Sequence, residues 1–128
     1  MYSFEKLQTW QEARKLVVMT YKIVSCFPSY ERFDLGSQMR RACFSIASNV
    51  AEGSARVSKK DQAHFYNIAF SSSIELLNQF IISTDLGFCT AQQFDEVKLK
   101  IDLVCKLING LRKSISPLLI NNQQKTIN

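Results

Sequence analysis

A chain of 128 residues with 46% hydrophobic residues, 21% charged residues, two prolines and four glycines has room for one self-sufficient core; this composition excludes a disordered chain and a loop-rich sandwich. The net charge of +5, with a pI near 9.1, admits an acidic partner such as nucleic acid but is too modest to be a polybasic signature. No stretch approaches the ~18 consecutive apolar residues of a membrane span, and Met1-Tyr2-Ser3-Phe4-Glu5-Lys6-Leu7 lacks the basic-then-apolar order of a signal peptide, so the expectation is a cytoplasmic protein with no membrane partner.

Leu7 to Cys26 reads as a first helix, with Ala13, Leu16, Thr20, Ile23 and Phe27 on one seam and Trp10, Val17, Tyr21 and Val24 on the next. Pro28 stops it, because proline lacks an amide proton and biases Phe27 away from the α region. Asp34 is placed to N-cap a second helix. That helix has three faces: Gln38, Arg41, Ser45, Asn49 and Glu52 form a polar stripe; Met39, Cys43, Ile46 and Val50 an apolar one; Gly36, Phe44, Ala47 and Ala51 a mostly small-sided one. Three such faces predict packing against several neighbours. Gly53 is expected to end the helix in the left-handed conformation.

Ser58-Lys59-Lys60-Asp61 is a variant capping box that opens a third helix. Its Phe65, Ile68, Ala69, Ser72, Leu76, Phe80 and Ser83 repeat at three and four until Gly87 closes it. Thr90-Ala91-Gln92-Gln93 is a second capping box, and the fourth helix carries Val97, Ile101, Val104, Ile108, Leu111 and Ile115 at alternating four and three. Leu99, Leu103 and Leu107 widen its apolar arc beyond one seam, which suggests an oligomer interface. Pro117 marks its end. The fold expected is all-α: an antiparallel up-down-up-down four-helix bundle over residues 1–120, with a flexible polar tail at 121–128.

No catalytic constellation is visible, since the lone His64 lies among polar residues and has neither a nucleophile nor paired carboxylates beside it. Cys26, Cys43, Cys89 and Cys105 form no C-x-x-C pair and read as small core residues of a reducing compartment, so neither a metal nor any other cofactor is expected. Trp10 falls on an apolar seam and reads as core or interface. Arg41 and Glu75 lie mid-helix at similar heights and are candidates for a buried ion pair, the alternative being that each faces solvent. Positive charge clusters twice: at Arg40, Arg41, Arg56, Lys59 and Lys60, and again from Lys98 onward, where Lys98, Lys106 and Lys113 lie near one helix face as a phosphate track.

One resemblance covers nearly the whole chain. It is carried by Phe4, Leu7, Trp10 and Ala13; by Phe27-Pro28 and Glu31; by Gln38, Arg40-Arg41-Ala42, Ser45-Ile46 and Asn49-Val50-Ala51-Glu52-Gly53; and by Arg56, Ser58, Phe65, Ala69, Ser72 and Glu75. In these residues the chain resembles the four-helix-bundle family of 23S rRNA intervening-sequence proteins, to which accessory proteins of diversity-generating retroelements are similar. The resemblance implies an up-down four-helix protomer, a ring-like homopentamer and no known catalysis. Some relatives are encoded inside rRNA intervening sequences, and the retroelement accessory proteins bind nucleic acid and a reverse transcriptase. The function expected is therefore non-enzymatic binding of RNA or DNA through phosphate contacts at Arg40, Arg56, Lys59, Lys60, Lys98, Lys106 and Lys113. The alternative is a protein-interaction scaffold with an incidental basic surface. A further copy of the chain, RNA or DNA, and a reverse transcriptase or other protein are the candidate partners.

Overall fold

The computed structural model describes residues 1–115; the expected bundle end at 120 and the polar tail 121–128 lie outside the described residues. A 3-10 turn at Ser3–Lys6 precedes α1 (Gln8–Val24), the single-turn α2 (Ser29–Arg32), α3 (Leu35–Ala55), α4 (Lys59–Asp85) and α5 (Ala91–Ile115). The described residues are all-α, with no strand, and the four long helices pack as a four-helix bundle. The α3–α4 and α4–α5 turns, residues 56–58 and 86–90, are too short for anything but antiparallel neighbours. Gly36 meets Val24 across α1 and α3, Gly53 meets Tyr66 across α3 and α4, and Arg112 meets Phe70 across α4 and α5.

Three helix ends follow the expected chemistry. Ser58 Oγ accepts from the Asp61 amide at 3.1 Å, and at Thr90 the box is complete: Thr90 Oγ1 accepts from the Gln93 amide at 3.1 Å while Gln93 Oε1 accepts from the Thr90 amide at 2.9 Å. Gly87, at φ +80°, reverses the chain after α4, and the amides of Gly87 and Phe88 donate back to Thr84 O and Ser83 O. That turn delivers Phe88 to Phe27 and Tyr30, at centroid distances of 5.7 and 6.3 Å.

Two expected ends differ. Asp34 holds the N-cap position of α3 but makes no capping hydrogen bond, because its backbone (φ −113°, ψ −94°) is not the extended one that aims an N-cap side chain at the following amides. Gly53 does not end α3; the helix runs through it to Ala55, and Gly87 alone among the described residues has positive φ. The reason for glycine at 53 is close approach: a Cβ there would lie 2.6 Å from Tyr66 Cε1.

The core is the expected one along its main seams. Leu16, Met39, Ile46, Leu76, Phe80, Ile101 and Ile108 are completely buried. On the wider arc of α5, Leu103 and Leu107 are half-buried, while Leu99 is 73% exposed. Cys43 and Cys89 are buried and Cys105 half-buried, but Cys26 is exposed just past the end of α1, so only three of the four thiols serve the core.

The expected buried pair of Arg41 and Glu75 does not form. Both residues are exposed, and Glu75 Oε1 accepts from Gln79 Nε2 at 3.3 Å. The polar stripe of α3 meets α4 instead through Ser45 Oγ and Ser72 Oγ at 2.8 Å, with Asn49 Nδ2 donating to Ser45 O at 2.8 Å. A neutral hydroxyl pair crosses this seam without the several kcal/mol per ion of desolvation that a buried salt bridge costs. One ion pair does join helices. Lys100 Nζ lies 2.6 Å from Glu12 Oε2, linking α5 to α1, with side chains 24% and 12% exposed. The ammonium of Lys100 holds the Glu12 carboxyl below the usual carboxylate range against the opposite push of desolvation.

Glycine-to-alanine changes are expected to go opposite ways at two helical positions. Gly110→Ala meets open space and should stabilise by about 0.5–1 kcal/mol through helix propensity; Gly53→Ala should destabilise by about 1–3 kcal/mol by overpacking against Tyr66. Urea unfolding of the two variants reads both. For the α1–α5 link, Lys100→Met should cost about 1–2 kcal/mol at neutral pH, between the limits for surface and buried pairs. Because the folded pKa of Glu12 is lowered, this stabilisation is complete above the ordinary glutamate range and is lost as pH falls through the lowered value. The stability gap between wild type and variant should therefore close below about pH 4, as measured by thermal unfolding across pH.

Candidate nucleic-acid interface

The chain crosses the bundle twice between Ser58 and Ile115, so the α3–α4 turn and the last turn of α5 lie at the same end. Arg56, Lys59 and Lys60 come from the turn, and Arg112 and Lys113 from α5. Glu52 and Asp61 lie among these five cations, leaving 5 − 2 = +3, while the opposite end carries Glu31, Asp34, Asp85 and Asp95 with Lys22 and Arg32, 2 − 4 = −2, so the bundle is electrically polar along its axis.

Two of the five cations are held by aromatic rings. The Arg56 guanidinium stands 4.6 Å from the Phe65 centroid and 3.7 Å from Glu52 Oε2, while Gln62 Nε2 donates to Arg56 O and fixes the backbone there. The Arg112 guanidinium stands 4.8 Å from the Phe70 centroid, and its Nη1 donates to Asn109 Oδ1 at 2.9 Å. Lys59, Lys60 and Lys113 are exposed and make no ion pair among the described residues. His64 is exposed at this end, edge-on to Phe65.

The other expected contacts are not gathered here. Arg40 stands towards the opposite end, where its Nη2 donates to Arg32 O at 2.9 Å and its guanidinium faces Tyr21. Lys98 is paired with Asp102 at 2.8 Å, two turns into α5, so the track of Lys98, Lys106 and Lys113 has one end neutralised. Lys106 is exposed between them. Arg112 belongs to the second cluster of positive charge in the sequence but was not among the expected contacts. Its charge was visible in sequence, but its seat against Phe70 depends on which sides of α4 and α5 face each other, which only the structure shows.

The three thiols of the core are poorly suited to nucleophilic work. Burial pushes the Cys43 thiol up to about 11 and raises those of Cys89 and Cys105 as well. No group of His, Cys, Asp and Glu able to hold a metal ion occurs among the described residues, and none of their helices is long and apolar enough to cross a membrane. The concave surfaces are open grooves. One of about 420 Å³ runs beside Glu5, Trp10, Arg14 and Lys15. A second, about 410 Å³, lies between α1 and α3 among Phe4, Trp10, Val17, Val18, Phe44 and Ala47, where Trp10 is half-buried and edge-on to Phe4.

A comparison with curated proteins returned no match. Among solved structures, the chain is similar to a protein of unknown function from the S23 ribosomal protein family of Bacteroides thetaiotaomicron VPI-5482, with a TM-score of 0.77 and 18% identity, covering 82% of this chain and 95% of that one. At that identity the likeness speaks for the fold. The model of the family described as 23S rRNA-intervening sequence protein matches residues 5–110, the four long helices nearly entire, and the chain belongs to that family.

Proposed function

We propose that this chain is a non-enzymatic, cytoplasmic, self-assembling protein that binds RNA or DNA through phosphate contacts made by the basic end of the bundle. The observation that carries the reading is the convergence of Arg56, Lys59 and Lys60 with Arg112 and Lys113, two groups far apart in sequence, at one end of a molecule whose other end is rich in carboxylates. Phosphate backbones reward such clustering, because each neutralised phosphate releases counterions. The family's description, which refers to an rRNA intervening sequence, is consistent with an RNA partner.

Assembly is the second half of the proposal, with the homopentamer implied by the resemblance as its expected form. It is supported by the apolar groove between α1 and α3, beside which Phe44 and Val18 are 52% and 50% exposed, and by Ile74 and Ile81 on the outer face of α4, 48% and 43% exposed. The same apolar surfaces favour a second reading, a scaffold for another protein such as a reverse transcriptase, on which the basic end would be incidental.

Fluorescence anisotropy with generic RNA and DNA across salt concentrations tests the binding. If five cations each engage a phosphate, log K on duplex DNA should fall with a slope of about −4.5, roughly a 500-fold loss between about 50 and 200 mM salt. Changing Lys59 and Lys60 together to glutamine should flatten that slope by about two, equally for all sequences, whereas Lys98→Gln should leave it unchanged because Lys98 lies near the start of α5, away from the basic end. Absence of binding at about 50 mM to either RNA or DNA would discard this reading in favour of the scaffold. Assembly is measured separately by light scattering. A mass above that of a dimer is expected at micromolar concentration, falling towards the monomer in Phe44→Glu, which places a carboxylate on the exposed apolar face.

A further inference from the structure

Two apolar surfaces stand on opposite sides of the bundle. α1 packs against α3 and α5, and α4 packs against the same two helices, so α1 and α4 are diagonal. The groove between α1 and α3 holds about 410 Å³ among Phe4, Trp10, Val17, Val18 and Phe44. On α4, Phe70, Ile74, Leu77 and Ile81 recur at four, three and four and so form one stripe. Phe70 meets Arg112 of α5, which turns the stripe towards α5 and away from the groove. The stripe is a ridge, with Ile74 and Ile81 exposed above the half-buried Phe70 and Leu77.

Groove and ridge lie at one level. Ser45 and Ser72 are hydrogen-bonded and mark the same height on α3 and α4. Phe44 is one residue from that mark on α3, and Ile74 is two residues from it on α4, about 3 Å along the axis. A second copy standing parallel beside the first therefore sets its Ile74 against Phe44 without sliding along the axis. That condition decides what repetition of the contact builds, because a head-to-tail contact gives a ring when its rotation closes without a rise and an open filament otherwise.

Charge selects this pairing over like with like. Arg14 stands over Trp10 and Arg40 over Tyr21, so two α1/α3 faces brought together would set these arginines against their own copies. α4 has no lysine or arginine after Lys60, and its carboxylates from there on are Asp61, Glu75 and Asp85. A groove bordered by guanidinium groups thus meets a helix whose full charges are of the opposite sign.

We infer that the α1/α3 groove is the socket for the α4 ridge of a second copy, with Ile74 set against Phe44, and that neighbouring copies stand parallel in a closed ring. This rests on the assembly reading above and specifies its two faces. Parallel copies carry their basic ends on one rim, so phosphate contacts add across the ring as one multivalent surface.

Phe44 and Ile74 are both exposed, so changing them tests the pairing without disturbing the core. In a Cys26→Ser background, which removes the exposed thiol, Phe44→Cys, Ile74→Cys and the double variant are treated with a short bismaleimide as intact full-length protein. The double variant should give a ladder of linked chains, while each single variant stays at the level of the Cys26→Ser parent. Light scattering supplies a second readout: Ile74→Glu should lose assembly as Phe44→Glu does, because each destroys one half of the same contact. Circular dichroism confirms that the variants are folded. Linked pairs from Phe44→Cys alone would mean that like faces meet. An assembled double variant that gives no ladder, or Ile74→Glu with the wild-type mass, would mean that other faces do. Each of these results overturns the inference while leaving assembly in place. A monomeric wild type would instead remove the assembly reading, and this inference with it.

Discussion

α3 and α4 lie against each other through small side chains: Gly53 admits the ring of Tyr66, and Ser45 meets Ser72 through a hydrogen bond of 2.8 Å. These contacts, with Met39 against Ser83 at the far end, fix one register along the whole antiparallel pair. The link between the helices is only Arg56, Val57 and Ser58, so the Gly53–Tyr66 contact lies within a turn or two of it and determines how the chain reverses. A side chain at 53 would push the start of α4 outward and carry Phe65 away from Arg56. The basic end therefore depends on a packing constraint in the core, and α1 and α5 complete the bundle on the outer sides of this pair.

A serine layer at this seam follows from relative costs. Guanidinium and carboxylate groups taken out of water lose several kcal/mol each, and their attraction repays this only with excellent geometry and further hydrogen bonds. The Ser45–Ser72 pair with Asn49 contributes a net of about 1 kcal/mol per hydrogen bond, strands no charge, and still discriminates between registers because a shift of either helix separates the hydroxyls. Arg41 and Glu75 then stay in water at the edge. Gln79, 5% exposed, carries its amide to the edge of this seam, where Nε2 donates to Glu75 Oε1.

Periodicity made the bundle legible before any coordinates, because a helix that buries one seam must repeat its apolar residues at three and four. Val97, Ile101, Val104 and Ile108 do so and are all fully buried. Local chemistry was legible for the same reason: the Thr90–Gln93 box and the Gly87 reversal need nothing beyond neighbours in sequence. What sequence left open was what depends on a distant neighbour. Gly53 looked like a terminator because its partner Tyr66 lies across the turn, and Arg41 looked like half of an ion pair because equal height does not reveal which side of a helix faces inward. For the candidate interface, Arg56, Lys59, Lys60 and Lys113 were visible as charge. Lys98 and Arg40 were visible in the same way, and their places near the starts of α5 and α3, with their contacts to Asp102 and Arg32 O, set them apart.

Clustered cations on a helical bundle also admit a purely structural explanation, and helix electrostatics separates the two cases. A helix C-terminus is partially negative, so Arg112 and Lys113 in the last turns of α5 stabilise it by about 0.3–1 kcal/mol each whatever else they do. The N-terminus is partially positive, and there Asp61 is the favourable residue. Lys59 and Lys60 occupy the first two positions of α4, where the same interaction has the opposite sign. They form no ion pair among the described residues, and they are exposed, so they do not fill the core either. Helix stability accounts for the cations of α5 and argues against those of α4. The two lysines at the start of α4 therefore give the better measure of a selected phosphate contact, since folding alone would favour carboxylates in their place.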